Sequence, residues 1–306
     1  MGIIKIGTRE SQLAVWQATL VQTLLSKQHI QSELKYIKSD GDIDLVTPLY
    51  ALGVQGVFTK TLDAALLSNK IDIAVHSMKD VPTQLAKGIL QAAVLPRASY
   101  QDILVFKKNT DFLSDPQSNA VIATSSIRRK AQWLHRYPNH TIENLRGNVN
   151  TRLQEVADNE WHGAIFAAAG LERIALRPEQ SIHLDWMLPA PAQGAIVIVC
   201  REKDTETYQK INQLNDFDTD LCTKIERDFL QTLMGGCSTP ISALATVERD
   251  EVYLKGNITS PDGKLQFSIE KKKPLAHAAT IGLEAGAELL QTDAKKIIES
   301  IHHAKQ

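Results

Sequence analysis

Cysteine, aromatic residues and excess charge are all scarce in this chain of 306 residues. The three cysteines, Cys200, Cys222 and Cys237, are unevenly spaced and form no Cys-x-x-Cys pair. This spacing argues against a disulfide framework and against a cysteine zinc site, and it favours a reducing cytoplasm. His, Cys, Asp and Glu form no cluster at ligand spacing around the candidate residues described below, so we expect no metal.

Long apolar runs and polyelectrolyte character are also lacking. The formal net charge is −1, so we do not expect nucleic-acid binding driven by bulk charge. No segment approaches the roughly 20 apolar residues that span a bilayer, and the first residues show no cleavage pattern. The sequence therefore predicts neither a membrane partner nor a signal peptide.

The chain does contain apolar strands that alternate with amphipathic helices, which is typical of parallel α/β sheets. Its length predicts two or three domains. Strands are predicted at 3–6, 33–37, 71–75, 90–95, 102–106, 121–123, 163–170 and 196–200, and helices at 13–24, 59–68, 127–136 and 149–156. We expect Trp16 and Leu20 in the core, and the strand at 196–200 back in the first sheet.

The final third of the chain has a different pattern. A helix at 221–233 precedes the third cysteine, and two strands at 252–258 and 265–269 are joined by the turn Ser260-Pro261-Asp262-Gly263. A closing helix covers 283–301. Together these patterns predict two similar α/β domains followed by a smaller α+β domain.

Positive charge is concentrated between Thr124 and Arg177. This segment contains seven arginines, one lysine and five acidic residues, which gives a local net charge of +3. Arg128 and Arg129 follow hydroxyl residues at a predicted helix start, where free N–H groups favour anions. An anion site for carboxylate or phosphate is one interpretation. A solvated charged face is the other.

Lys79 and Asp80 follow a buried strand, where α/β sheets bind ligands. Asp80 has three candidate uses: stabilising a cation, transferring a proton, or capping and pairing within the structure. His76 is expected to be a hydrogen-bonded structural histidine.

The stretch Met234-Gly235-Gly236-Cys237-Ser238-Thr239-Pro240-Ile241 combines two glycines, a cysteine and a proline. Glycine permits a bent backbone and proline disfavours a helix, so Cys237 is predicted on an accessible loop. An accessible thiol is a candidate nucleophile. A buried, idle cysteine is the alternative.

Several motifs together resemble the porphobilinogen deaminase family, also called hydroxymethylbilane synthase, over essentially the whole chain. They are Gly7-Thr8-Arg9-Glu10-Ser11-Gln12-Leu13-Ala14, Ala74-Val75-His76-Ser77-Met78-Lys79-Asp80-Val81-Pro82, Thr124-Ser125-Ser126-Ile127-Arg128-Arg129, Asn144-Leu145-Arg146-Gly147-Asn148-Val149-Asn150-Thr151-Arg152, Ala168-Ala169-Gly170-Leu171-Glu172-Arg173, Pro191-Ala192-Gln193-Gly194 and Gly235-Gly236-Cys237.

The resemblance implies a transferase of porphyrin, tetrapyrrole and heme biosynthesis. Such an enzyme adds four porphobilinogen units head to tail onto a dipyrromethane cofactor, releases ammonia at each addition, and hydrolyses off the linear hydroxymethylbilane. It also implies a cytoplasmic monomer whose first two domains are similar to periplasmic binding proteins. The domains are expected at 1–96 with 194–214, at 97–193, and at 215–306.

The resemblance also implies the site residues. Cys237 would hold the cofactor through a thioether, and Asp80 would be catalytic, stabilising the positive charge that develops when ammonia leaves. Further cofactor-binding residues would be Lys79, Ser125, Arg128, Arg129, Arg146, Gly147, Arg152 and Gln193. Substrate-binding residues would be Arg9, Ser11, Phe58, Ser126 and Arg173.

One position departs from the family pattern, because Gln55 stands where many bacterial relatives carry a lysine. A neutral residue there removes one contact to a carboxylate. Two other functions remain as alternatives. One is a two-lobed anion-binding protein without catalysis, and the other is a cysteine hydrolase, which lacks a clearly positioned histidine.

Overall fold

The computed structural model describes residues 2–38, 59–233 and 239–303. Within them, the strands are β1 Ile4–Thr8, β2 Ser32–Tyr36, β3 Ile73–Ser77, β4 Ile89–Val94, β5 Asp102–Phe106, β6 Val121–Ala123, β7 Thr141–Glu143, β8 Gly163–Ala167, β9 Ser181–His183, β10 Ile196–Arg201, β11 Ile241–Glu248, β12 Glu251–Thr259 and β13 Gln266–Pro274. The α-helices are α1 Gln12–Lys27, α2 Lys60–Leu67, α3 Ile127–Arg136, α4 Val149–Asp158, α5 Ala168–Glu172, α6 Thr205–Asn212, α7 Phe217–Thr232, α8 Ile281–Leu289 and α9 Ala294–His303.

The first sheet has the strand order β2-β1-β3-β10-β4. β1 runs parallel to β2 and β3, whereas β10 is antiparallel to both β3 and β4. Nearly every residue of β3 and β10 is buried, because helices cover a parallel sheet on both faces. The predicted return of 196–200 to the first sheet is therefore confirmed.

The second sheet has the order β7-β6-β8-β5-β9 and the same arrangement of directions. β6 is parallel to β7 and β8, and β5 is antiparallel to β8 and β9. Strand for strand, β6, β7, β8, β5 and β9 correspond to β1, β2, β3, β10 and β4. The prediction of two similar α/β domains is confirmed by this shared topology.

The last third contains the antiparallel sheet β11-β12-β13 with helices α7, α8 and α9. Gly263 has a φ of +77°, and a Cβ there would lie 2.5 Å from the backbone N of His135. The turn Ser260–Gly263 therefore needs glycine, both for its left-handed angle and for its close approach to α3. A smaller α+β part at the end of the chain is confirmed.

Two compact units emerge from the packing. The first contains residues 2–38, 59–98 and 194–221, and the second contains 99–193, 222–233 and 239–303 among those described. The second unit thus joins the second sheet and the antiparallel sheet. The three predicted domain boundaries remain a prediction.

Several sequence-based predictions were wrong in detail. Trp16 is 36% exposed, because α1 buries the neighbouring face with Ala18, Val21 and Leu25, and Leu20 only packs at its margin. The predicted strand 163–170 ends at Ala167, where α5 begins. The closing helix is divided into α8 and α9. Strands β7, β9 and β11 and helix α6 were missed.

Candidate active site

The carboxyl edge of the first sheet gathers the residues that follow β1 and β3. These strands are parallel neighbours, so the segments after Thr8 and Ser77 leave the sheet at one edge. Ser11 begins α1 as its N-cap, and its Oγ accepts a hydrogen bond from the N–H of Ala14 at 3.4 Å. A single 3-10 turn, Met78–Asp80, follows β3 and carries Lys79 and Asp80.

Asp80 is exposed and makes no hydrogen bond or ion pair with another described residue. The interpretation of Asp80 as a helix cap or structural ion pair therefore has no support in the described residues. Lys79 beside it is half-buried. A carboxylate without an internal partner keeps its charge available for a ligand.

His76 lies in β3, two residues before the turn, and is only 7% exposed. Burial, with a smaller effect from the charge of Arg9, lowers its pKa to about 4. Its Nε2 has no hydrogen-bond partner among the described residues, so the expected hydrogen bond at this atom is not found there. His76 is therefore a neutral buried imidazole at neutral pH.

The carboxyl edge of the second sheet is formed by the segments after β6, β7 and β8. Ser126 is the N-cap of α3, and its Oγ accepts from the N–H of Arg129 at 3.4 Å. The Ser125 hydroxyl donates to the carbonyl of Leu145 and accepts from its N–H at 3.1 Å. Ser125 therefore ties the loop after β6 to the loop after β7.

Gly147 lies in the turn that leads from β7 into α4, and Arg152 lies in the first half of that helix. The Nε of Arg152 donates to the Gly147 carbonyl at 2.9 Å. Gly147 has a φ of +87°, and a Cβ would lie 2.8 Å from the side chain of Thr151. Only glycine meets both conditions without strain. Arg146 is half-buried, and its backbone N–H donates to Glu155 Oε2 at 3.3 Å.

Arg128 and Arg129 are buried, with exposed fractions of 4% and 7%. Arg128 Nη2 lies 2.7 Å from Asp102 Oδ2, and Arg129 Nη2 lies 2.8 Å from Asp102 Oδ1. The alternative of a solvated charged face is therefore wrong for these two residues. Burial lowers the pKa of Arg128, an effect that Asp102 opposes and Arg129 reinforces.

Gln193 and Arg173 complete the predicted residues of this unit. Gln193 is fully buried, and its Nε2 donates to the Tyr100 carbonyl at 2.7 Å and to Asp102 Oδ1 at 3.0 Å. Arg173 follows α5 and is half-buried. Burial lowers its pKa to about 10, with Glu172 opposing, so Arg173 stays positively charged at neutral pH.

Two buried carboxylates of the second unit were missed by the sequence analysis. Asp102 begins β5 and joins Arg128, Arg129 and Gln193. Glu226, on α7, accepts from the N–H groups of Ala192 at 2.6 Å and Ala245 at 2.7 Å. An aspartate that opens an apolar strand, and a glutamate on the buried face of a helix, are the only local signals.

The structure therefore divides the predicted residues between the two units. Arg9, Ser11, Lys79 and Asp80 belong to the first unit. The second unit carries Ser125, Ser126, Arg128, Arg129, Arg146, Gly147, Arg152, Arg173 and Gln193. Cys237, Gln55 and Phe58 lie outside the described residues. Among the residues that are described, no three of His, Cys, Asp and Glu are placed to hold a metal ion.

Comparison with known proteins shows to which family the chain belongs. The family profile described as porphobilinogen deaminase, dipyromethane cofactor binding domain, matches residues 4–209, and the one described as porphobilinogen deaminase, C-terminal domain, matches 220–291. The chain belongs to the porphobilinogen deaminase family. A porphobilinogen deaminase of Syntrophotalea carbinolica is 39% identical over 302 residues, which cover 97% of this chain and 96% of the relative.

Solved structures of other proteins share a more distant likeness. An ancestral cationic amino acid solute binding protein is 16% identical, with a TM-score of 0.44, over 70% of this chain and 88% of its own. The periplasmic VFT2 domain of Bordetella pertussis BvgS is 14% identical, with a TM-score of 0.43, over 69% of this chain and 86% of its own.

Membership of the porphobilinogen deaminase family gives the activity expected from the sequence. The reaction is that of hydroxymethylbilane synthase, EC 2.5.1.61, which joins four porphobilinogen molecules on a dipyrromethane primer and then hydrolyses off the linear product. The cofactor is dipyrromethane. The non-catalytic anion-binding alternative is not favoured.

The donor set of the second unit fits such a cofactor. Each pyrrole carries an acetate and a propionate, and guanidinium groups match carboxylates in shape and charge. The Nε of Arg128 is buried without a hydrogen-bond partner among the described residues, so this donor remains for an anion.

In the described part of the chain, every helix is too short or too polar to cross a lipid bilayer.

Proposed function

We propose that the two carboxyl edges divide the work of the porphobilinogen deaminase reaction. The second unit binds carboxylates through Ser125, Ser126, Gly147, Gln193 and the arginines 128, 129, 146, 152 and 173. The first unit supplies Asp80 as the catalytic carboxylate, with Arg9, Ser11 and Lys79 beside it. Phe58 is proposed as a further substrate-binding residue.

One observation carries the binding role. Arg128 and Arg129 share a single carboxylate within the described residues, so one positive charge remains uncompensated in a buried position. A buried charge is costly unless something pairs with it. The carboxylates of a pyrrole supply that pairing, and a growing chain brings more of them.

Asp80 is suited to the chemical step because it has no partner among the residues that the structure describes. Loss of ammonia from porphobilinogen leaves a cation, and an attacking pyrrole carries positive charge until it loses a proton. A fixed carboxylate stabilises that charge where it develops, and it accepts or relays the proton.

Cys237 is proposed as the attachment point of the cofactor through a thioether. When bound, the dipyrromethane supplies the pyrrole carbon to which the first substrate is joined. The other two cysteines, Cys200 and Cys222, are both buried, and burial raises the pKa of the Cys200 thiol to about 11. A thiol with a raised pKa is a poor thiolate donor, so Cys200 is an unsuitable attachment point.

We also propose that the enzyme works as a monomer in the cytoplasm. All the residues proposed for the reaction come from one chain. Three unevenly spaced cysteines agree with a reducing compartment.

Intact-protein mass tests the proposal directly. The purified chain should exceed its sequence mass by two pyrrole units, and Cys237→Ala should show no excess and no hydroxymethylbilane formation. Cys222→Ala is the matched control, which should keep both the excess mass and the activity. Normal cofactor mass on Cys237→Ala would show that another residue carries the group.

A further inference from the structure

Asp102 is the meeting point of three side chains that the proposed function assigns to cofactor binding. Its Oδ2 accepts from Arg128 Nη2 at 2.7 Å. Its Oδ1 accepts from Arg129 Nε at 3.0 Å and Nη2 at 2.8 Å, and from Gln193 Nε2 at 3.0 Å. The carboxylate itself is fully buried, so it cannot contact bulk solvent.

The Nη1 groups of both arginines are also directed by backbone carbonyls. Arg128 Nη1 donates to the Leu188 carbonyl at 2.7 Å, and Arg129 Nη1 donates to the Ile165 carbonyl at 3.0 Å. Arg129 therefore has its Nε and both terminal nitrogens in hydrogen bonds, whereas the Nε of Arg128 has none within the described residues. Arg128 thus presents one oriented donor, while Arg129 is held in place.

Topology explains why one aspartate reaches all three partners. Asp102 is the first residue of β5 and lies in register with Ala167, the last residue of β8. The N-terminus of α3 follows β6, the other neighbour of β8. The amino end of the antiparallel strand β5 is therefore at the same sheet edge as the start of α3, although Asp102 and Arg128 are 26 residues apart.

Asp102 also sets the net charge of the cluster that it forms with Arg128 and Arg129. Two guanidinium groups and one carboxylate leave a net charge of +1 in the cluster. Without the carboxylate the charge would be +2, and the arginines would repel each other in a medium of low dielectric constant. The side chains would then leave their present positions for solvent.

We propose that Asp102 is a positioning residue for this reaction. It fixes the direction of Arg128, Arg129 and Gln193 and sets the cluster at one uncompensated positive charge, which suits a ligand carboxylate. This inference rests on the proposed function, since it concerns binding of the carboxylate-bearing cofactor. Asp102 is fully buried, so it would act through these three side chains.

Asp102→Asn in the full chain is the test, because it keeps the shape and removes the charge. The first readout is the fraction of purified protein that carries the cofactor, measured by intact mass. We expect a fall of about tenfold or more, the ratio that corresponds to one lost charge-assisted hydrogen bond. Asp72→Asn is the matched control, because it removes a carboxylate from Arg201 at 3.0 Å in the first unit. The control should load normally.

A second readout separates positioning from general stability. The Nε–H signals of Arg128 and Arg129 in a ¹⁵N spectrum can be assigned by their loss in Arg128→Lys and Arg129→Lys. In Asp102→Asn both signals should move towards the position of exposed arginines. Asp72→Asn should leave them in place, even where its urea midpoint falls by as much.

The outcomes are distinguishable. Normal loading of Asp102→Asn would overturn the proposal, and so would reduced loading with unchanged arginine signals. If Asp102→Asn does not fold, hydrogen exchange of the Arg129 Nε–H in the parent decides: slow exchange supports the contact, and exchange as fast as that of an exposed arginine overturns it. A parent protein without cofactor mass would instead contradict the proposed function.

Discussion

The two five-stranded sheets have the same topology, yet their carboxyl edges hold their charged residues differently. In the first sheet the segment after β3 exposes Asp80, which has no internal partner among the described residues. In the second sheet the helix after β6 begins with Arg128 and Arg129, which are buried against Asp102. A common scaffold therefore holds a negative group in water and positive groups in the interior.

The difference follows from what each edge has to do. A charge that acts only while the substrate becomes cationic need not be buried in the resting protein. Charges that must orient a carboxylate-rich ligand benefit from fixed directions, which burial and a shared counter-ion provide. In this interpretation the first edge serves the chemical step and the second edge serves binding.

The substitution Asp80→Asn is expected to have the largest effect, and it tests whether the first edge serves the chemical step. Because Asp80 is exposed and has no partner in the described part of the chain, the variant should fold with an unchanged urea midpoint, while turnover falls by on the order of 10²–10³. KM for porphobilinogen should change little. Asp80→Glu keeps the charge but moves it by one methylene, so it should retain part of the activity.

Asp218→Asn is the control for Asp80→Asn, because Asp218 is also exposed in the first unit and has no described partner. Its turnover should equal that of the parent. Rates are measured as porphobilinogen consumed and as uroporphyrin formed after oxidation. Near-parental turnover by Asp80→Asn would mean that the carboxylate is unnecessary, and the cation-stabilising role would have to be withdrawn.

A second test compares the two units by how their stability depends on pH. His76 is buried with a pKa of about 4, below the ordinary value of 6.5, so the unfolded chain binds its proton more readily. Its contribution to stability is complete above about pH 6.5 and is lost as the pH falls to about 4. A shift of this size corresponds to about 3 kcal/mol.

His76→Leu should therefore flatten the dependence of the unfolding free energy on pH between about 6.5 and 4. Urea unfolding at several pH values measures it. His183→Leu is the control for the loss of an imidazole, because His183 is exposed on β9 in the second unit, and its profile is compared with that of His76→Leu. An unchanged slope in His76→Leu would show that other groups cause the loss of stability in acid.

Much of the fold could be predicted from local pattern. The apolar runs of β3 and β10 and the helical period of α3 can be recognised without their neighbours. The three-residue strands β7 and β9 are too short to show a period, and they exist because they pair with β6 and β5 in the sheet. Trp16 was misplaced because two adjacent faces of α1 are apolar, and only the sheet selects between them.

The candidate site, like the fold, could be predicted from the sequence only in part. Motifs showed which residues matter, and strand ends showed where Lys79, Asp80 and Arg128 leave the sheets. What they could not show is that Arg128 and Arg129 are buried, since that depends on Asp102. The contact spans 26 residues and an antiparallel strand, and no local spacing predicts it.

The smallest and most closely matched test compares the two N-caps. Ser11 and Ser126 occupy corresponding positions after β1 and β6, and each accepts a backbone N–H at 3.4 Å. Ser11→Ala and Ser126→Ala should each lower the unfolding free energy by about 1 kcal/mol, because each removes one helix cap.

Ser126→Ala should also raise KM for porphobilinogen by about two- to tenfold, the ratio for one hydrogen bond, since its helix carries the buried arginines. Ser11→Ala should raise KM less, because α1 begins with Gln12 and Leu13. Urea midpoints and steady-state kinetics of the two variants measure both effects. Equal increases in KM would show that both edges receive carboxylates equally, and the division of work between them would then be wrong.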